Sequence, residues 1–277
     1  MQRAEPLSPV LDTGAYLYSN ADPVALARLR GLEAIEDSAT IELLMGLNIQ
    51  PGWKCLELGA GAGSIAYWLA ETLGKPENVH ATDMDIGLLD AGRCSVQRHD
   101  VRKDPLPACS YDLVHFRHLL IHIPRAEHRS VLGRLLSATR PAGVLLAEES
   151  DLHTWKATTA SSDEQEWAFN DGIKALHDIY ERRGLDTAAG QSLVHLLADV
   201  GFCGISSTSR TWRVQGGTTE ANFHVQSMRQ LAQSSHDLFP QLAARVLSVA
   251  RCCEDPSFEY QSRSTIAVIA HRPIDTP

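Results

Sequence analysis

The chain has 277 residues and a formal charge of −9, from 34 acidic against 25 basic side chains. That length suits one large α/β domain, or one domain plus a cap, with a substantial core. The acidic balance argues against a broad phosphate-binding surface, and so against a nucleic acid as substrate.

Residues 1–15 lack periodicity. Asp22-Pro23 then reads as an N-cap and a first helical residue, and Val24, Leu26, Leu29, Leu32 and Ile35 form a helical apolar face. A second helix is expected from Asp37 or Ser38, carrying Ile41, Leu44, Met45 and Leu47. The Pro51-Gly52 turn opens an apolar run, Trp53, Cys55, Leu56 and Leu58, that predicts a strand over 54–58. Helical spacing of Ile65, Trp68, Leu69 and Leu73 predicts a helix over 64–73. Strands are then expected over 79–82, 95–98, 112–116 and 144–147, helices over 86–91 and 126–138, and a turn over 140–143. Beyond residue 150 the pattern predicts helices over 163–183 and 190–200, a strand over 205–214, a helical stretch over 220–253 broken near Pro240, and a last strand over 264–270. Strands alternating with helices predict a doubly wound α/β sheet.

Between the first strand and its helix lies Leu56-Glu57-Leu58-Gly59-Ala60-Gly61-Ala62-Gly63-Ser64. Glycine there permits positive φ and close approach of a ligand to the backbone, and the helix behind offers unpaired N–H groups. The spacing is G-x-G-x-G, not the dinucleotide G-x-G-x-x-G, whose third glycine is replaced by Ser64. Glu57 would repel a pyrophosphate but attract a cationic ligand. A nicotinamide-dependent oxidoreductase is therefore disfavoured.

This turn resembles motif I of the class I S-adenosylmethionine-dependent methyltransferases. Further segments carry the resemblance in the same order: Ala81-Thr82-Asp83-Met84-Asp85, Arg98-His99-Asp100-Val101, Ser110 to Val114 with Leu119 to Pro124, and Arg140-Pro141-Ala142-Gly143 leading into a strand. In the last, Ala142 stands where the family has the first glycine of a K-P-G-G turn. Tyr16 to Asp22 is similar to a bacterial subgroup found near natural-product pathways. The resemblance implies a seven-stranded Rossmann-like sheet with an N-terminal helical lid (1–48). The core (49–277) would carry cap segments at about 155–185 and 216–256, and a helical insertion before the last strand. It implies S-adenosylmethionine as cofactor, with S-adenosylhomocysteine as product.

It also implies roles. Glu57 would receive the amino-acid end of the cofactor, Gly59, Gly61 and Gly63 would form the cradle, and Asp83 would accept from the ribose diol. Met84 would lie under the adenine, or simply pack in the core. Asp100 would accept from the adenine amine, or be a solvated turn carboxylate, and Val101 would lie beside the ring. Arg117 would bind the cofactor carboxylate or a structural acid. Catalysis would rest on alignment and water exclusion. Where the acceptor must lose a proton, Tyr16 or Tyr18 facing His118 or His224 is the expected base pair.

The aromatic residues of the cap point to a small aromatic or polycyclic acceptor, such as a phenol, an indole or an alkaloid, methylated on O, N or C. Gln226 and Arg229 are further expected polar handles, while Trp167 and Phe169 are read as core. The alternative is a cofactor-binding fold acting by binding or cyclisation without methyl transfer. Glu148, Glu149 and Asp151 follow the fifth strand, but two of them are as well explained as strand-end groups, and no metal site is expected. Six scattered cysteines, no signal pattern and no long apolar run imply a reduced cytoplasmic protein without membrane partners. A homodimer is left open.

Overall fold

The structure, a computed structural model, describes residues 17, 18, 20 and 24–274. The apolar run Cys55–Leu58 forms β1, buried along its whole length. It lies in the middle of a seven-stranded sheet of order β3-β2-β1-β4-β5-β10-β7. The strands are β2 Val79–Asp83, β3 Ser95–Arg98, β4 Tyr111–Arg117, β5 Thr139–Asp151, β7 Cys203–Arg210 and β10 Ser264–His271. Strand β10 runs antiparallel to both its neighbours, and the other pairs are parallel. Strand order reverses between β1 and β4, which opens a crevice at their carboxyl ends.

Helices α1 Ala25–Gly46 and α2 Ser64–Leu73 cover one face, α3 His128–Ala138 and α5 Ala189–Val200 the other. A third core lies among α4 Asp163–Arg182, α6 Thr219–Ser235 and α7 Pro240–Glu254. It is centred on Phe169, Phe258 and Tyr260, all fully buried. A three-stranded antiparallel sheet of β6 Lys156–Thr159, β9 Glu259–Gln261 and β8 Arg213–Gln215 closes this cap. Among the described residues no helix is long and apolar enough to cross a membrane.

Several expectations are corrected. The two N-terminal helices are one continuous α1, because the Asp37 carboxylate is taken by Arg117 at 2.7 Å and does not cap. Asp22 and Pro23 lie outside the described residues. The helix over 86–91 is replaced by successive turns, in which Asp85 and Asp90 accept from the N–H of Gly87 and Gly92. The turn at 140–143 is absorbed into β5, with Ala142 at a φ of 61°. The strand over 205–214 is divided between β7 and β8, and β6 and β9 were not expected.

Candidate functional site

The glycine turn works through its backbone. Gly59 and Gly61 take φ of 66° and 58°, a region where a side chain is strained. The Gly61 N–H donates to Asp83 Oδ2 at 2.9 Å, and the Asp85 N–H to Oδ1 at 3.0 Å. Asp83 thus ties the end of β2 to the turn and keeps lone pairs for a ligand, since a carboxylate has about four acceptor positions. Burial pushes its carboxyl above the usual range. A cleft of roughly 1340 Å³ opens here, and Gly59, Gly61, Asp83, Met84, Asp100, Val101 and Arg117 all line it.

Asp100 is gripped by Arg102, whose Nε and Nη2 each donate at 3.0 Å. Burial works against the charge, but Arg102 outweighs it and holds the carboxyl below its ordinary value. Beside it His99 is buried, lines the cleft, and has neither ring nitrogen hydrogen-bonded among the described residues.

Two cofactor residues fall elsewhere. Gly63 caps α2 with a φ of 90°, and a Cβ there would lie 2.4 Å from the Tyr67 ring. It serves packing and is not on the cleft wall. Glu57 lies beneath the turn. The β1–β4 register sets it opposite His115, whose Nδ1 is 2.6 Å from Glu57 Oε2.

His115 opens a buried charge network. Its Nε2 lies 3.2 Å from Glu148. Burial disfavours its charge, but Glu57 and Glu148 outweigh that and lift it to about 9. Glu148 also accepts from Thr40 at 2.7 Å and pairs with Arg210. Arg117 donates to Asp37 and Thr40 on α1, so it holds a structural acid while lining the cleft. A carboxylate oxygen of Glu36, also on α1, takes Arg263 at 3.1 Å and Thr265 at 2.9 Å. Burial would raise Glu36, but His118, Arg263 and Arg117 hold its carboxyl far below the usual range. Helix α1 is thus bolted to β4, β5 and β10 by a largely buried set of charges and hydroxyls.

Beyond the cleft a second cavity holds roughly 520 Å³ of space, and the two share Arg28, Leu32, His118 and His122 as walls. Tyr18, Trp155, Tyr180 and Phe223 give it aromatic walls, with Met228 beside them. Among the described residues the expected base pair is not assembled. Tyr18 hydroxyl meets Tyr180 hydroxyl at 3.0 Å, and its ring stands edge-on to His122. His118 Nδ1 is 2.9 Å from Ser150 Oγ, and its Nε2 is 3.2 Å from Arg263 and 3.4 Å from Glu36. Arginine can only donate and a carboxylate only accept, so Nε2 meets Arg263 as an acceptor or Glu36 as a donor, according to the tautomer. His224 Nδ1 is 2.8 Å from Tyr260 hydroxyl, while its buried Nε2 has no partner among the described residues. Burial, then the charge of Arg263, pushes His118 down to about 4 and His224 to about 3. Burial, then Arg28, pushes His122 to about 3. Such imidazoles stay neutral and are weak proton acceptors near neutral pH. Tyr16 lies outside the described residues.

Other expectations differ. Gln226 and Arg229 face away from both cavities, with Asn222 and Glu254 as partners. Trp167 is exposed, whereas Phe169 is core. Arg28, His99, Ser150, Tyr180 and Arg263 were missed. The signal for Arg28 was present: it stands on the stripe of Ala25, Leu32 and Ile35, where a helix normally keeps apolar residues.

A doubly wound sheet whose glycine turn faces an acid at the end of β2 defines a nucleoside-binding Rossmann-like protein. A family model described as a methyltransferase domain matches residues 55–143. Two methyltransferases of Strobilurus tenacellus, str2 and str3, are 30% and 26% identical over 143 and 147 residues. The matches span about half of this chain and 50% of the length of each relative. The solved YcgJ protein of Bacillus subtilis superposes with a TM-score of 0.54 at 12% identity, over 85% of this chain and 99% of its own. Residues 55–143 thus match a methyltransferase domain, and the fold of the chain is that of the solved YcgJ protein.

Proposed function

We propose that the protein is an S-adenosylmethionine-dependent methyltransferase acting on a small aromatic or polycyclic acceptor. The observation that carries this is the adjoining pair of cavities, a nucleoside-type cleft and an aromatic chamber with His118 and His122 in their common wall. The cleft fits the cofactor chemically. Its glycines leave the backbone open, Asp83 keeps acceptor capacity for a diol, and buried His99 has unbonded nitrogens for an adenine edge. Met84 and Val101 would flank the base, and Asp100 would accept from its amine. Glu57 would act from below, through the turn. When bound, the cofactor supplies an activated methyl group on a cationic sulfur.

The chain's own contribution is alignment and exclusion of water. Trp155, Phe223 and Tyr180 would hold a flat ring by stacking and edge contacts. His224 Nε2 and Ser150 would hydrogen-bond its polar edge without taking a proton. The natural-product setting and the acceptor's ring belong to this reading. Incubation with S-adenosylmethionine and a panel of phenols, indoles and aromatic acids should give a product heavier by one methylene unit, together with S-adenosylhomocysteine. Cofactor binding with a rearranged product of unchanged mass would instead favour the cyclisation alternative.

A further inference from the structure

Arg28 is 5% exposed, and its Nε and Nη2 have no hydrogen-bond partner among the described residues. No carboxylate among the described residues is paired with it, in contrast to Arg117, Arg210 and Arg263. Its guanidinium lies 5.3 Å from the centre of the Tyr18 ring, a contact worth far less than a buried ion pair. An unpaired buried cation is costly and calls for a counter-charge.

The chamber's own chemistry indicates where that charge comes from. Arg28 and Arg263 both line it, and no Asp or Glu among the described residues does. The histidines in its wall are held neutral. A sulfonium in the adjoining cleft would add a further positive charge. Arg263 is already paired with Glu36, so Arg28 is the charge left to act on an occupant: a protonated amine would be repelled by it, whereas an anion would be stabilised.

We propose that Arg28 receives an anionic group of the methyl acceptor, which is therefore an aromatic acid: a carboxylic acid, or an enol or phenol acidic enough to ionise. The inference rests on the methyltransferase reading and narrows it. It also removes the need for a base. An acceptor oxyanion forms the O–C bond as the methyl–sulfur bond breaks, that electron pair stays on sulfur, and a cation and an anion become two neutral products with no proton to move.

The cofactor's own carboxylate is the competing source of the same chemistry, and calorimetry separates the two. The protein is first saturated with S-adenosylhomocysteine. It is then titrated with benzoate, 2-naphthoate and indole-3-carboxylate, and with the corresponding neutral amides. At least one acid should bind about tenfold or more tightly than its amide. Arg28→Met should abolish that preference, Arg28→Lys should retain part of it, and neither should change affinity for S-adenosylhomocysteine. Thermal melting of ligand-free Arg28→Met should show a Tm no lower than that of the parent, since it loses an unpaired buried charge. Equal or absent binding of acids and amides across all three rings would overturn the proposal. So would loss of S-adenosylhomocysteine affinity in Arg28→Met, which would assign the arginine to the cofactor. If the parent protein does not bind S-adenosylhomocysteine at all, the methyltransferase reading itself fails.

Discussion

The cleft and the chamber are neighbours built on opposite principles. The floor of the cleft, the backbone of the glycine turn and the acids at the ends of β2 and β3, comes from one continuous stretch, residues 58–101, while Arg28, Arg117 and His122 add to its walls. The chamber draws Tyr18 and Arg28 from the N-terminal side, Trp155 and Tyr180 from the cap, Phe223 and His224 from α6, and Arg263 from the approach to β10. Local construction gives a site whose position follows from the fold alone. Assembly from distant segments gives a site whose shape depends on how helices pack, and which therefore changes easily between proteins that share the fold.

Beneath both runs the charge network, and its removal should have the largest effect. Glu36→Ala leaves Arg263 buried without its carboxylate, at an expected cost of about 3–5 kcal/mol in unfolding free energy. Urea denaturation followed by circular dichroism measures this, and a loss below about 1 kcal/mol would show that the network is not a structural floor. Next comes a test of the cleft alone. Asp83→Ala should weaken S-adenosylmethionine binding by about 1–3 kcal/mol, the loss of a charge-assisted pair to a diol. An unchanged dissociation constant in a folded variant would remove Asp83 from the site.

The smallest effect is a pH dependence that separates the two regions by sign. The fold raises His115 from 6.5 to about 9, and burial raises Glu149 from 4.5 to about 8. Both are held protonated, so their contributions are complete below the unfolded values and disappear as pH rises through about 8 and 9. The loss runs over about pH 4.5–8 for Glu149 and about 6.5–9 for His115, so stability should fall from about pH 6.5 to about 9, and Glu149→Gln should flatten the part of that decline below about 8. The chamber histidines have lowered values and act oppositely. Their contribution is present above about 6.5 and is lost as pH falls. Urea midpoints across the range read both limbs, and a flat alkaline limb would contradict the network's protonation.

Legibility in the sequence follows the same division. Strand and helix periods and the G-x-G-x-G spacing are local signals, and they located β1, α2 and Asp83 without reference to the rest of the chain. For Glu57 the partner His115 was not legible, because it stands fifty-eight residues away and is brought alongside only by strand register. A single histidine within an apolar strand carries no sign of that partner. The break expected at Asp37 failed for the same reason, since a capping residue and an ion-pair partner look identical until Arg117 arrives. The expected tyrosine–histidine pair required knowing which rings face each other across α1, α4 and α6, which no local pattern encodes.

The bolting of α1 bears on how such proteins diversify. Glu36, Asp37 and Thr40 sit on the same helix as Arg28, and their counterparts Arg117, Glu148 and Arg263 belong to β4, β5 and the segment before β10. A chimera that imports this helix into a relative, or replaces it with another cover, separates each charge from its mate. Acceptor preference is thus not carried by a detachable module. It is inherited with the strands, and new selectivity is more readily reached by single changes at Leu29 and Leu32, where the helix lines the cavities, than by exchanging the helix as a block.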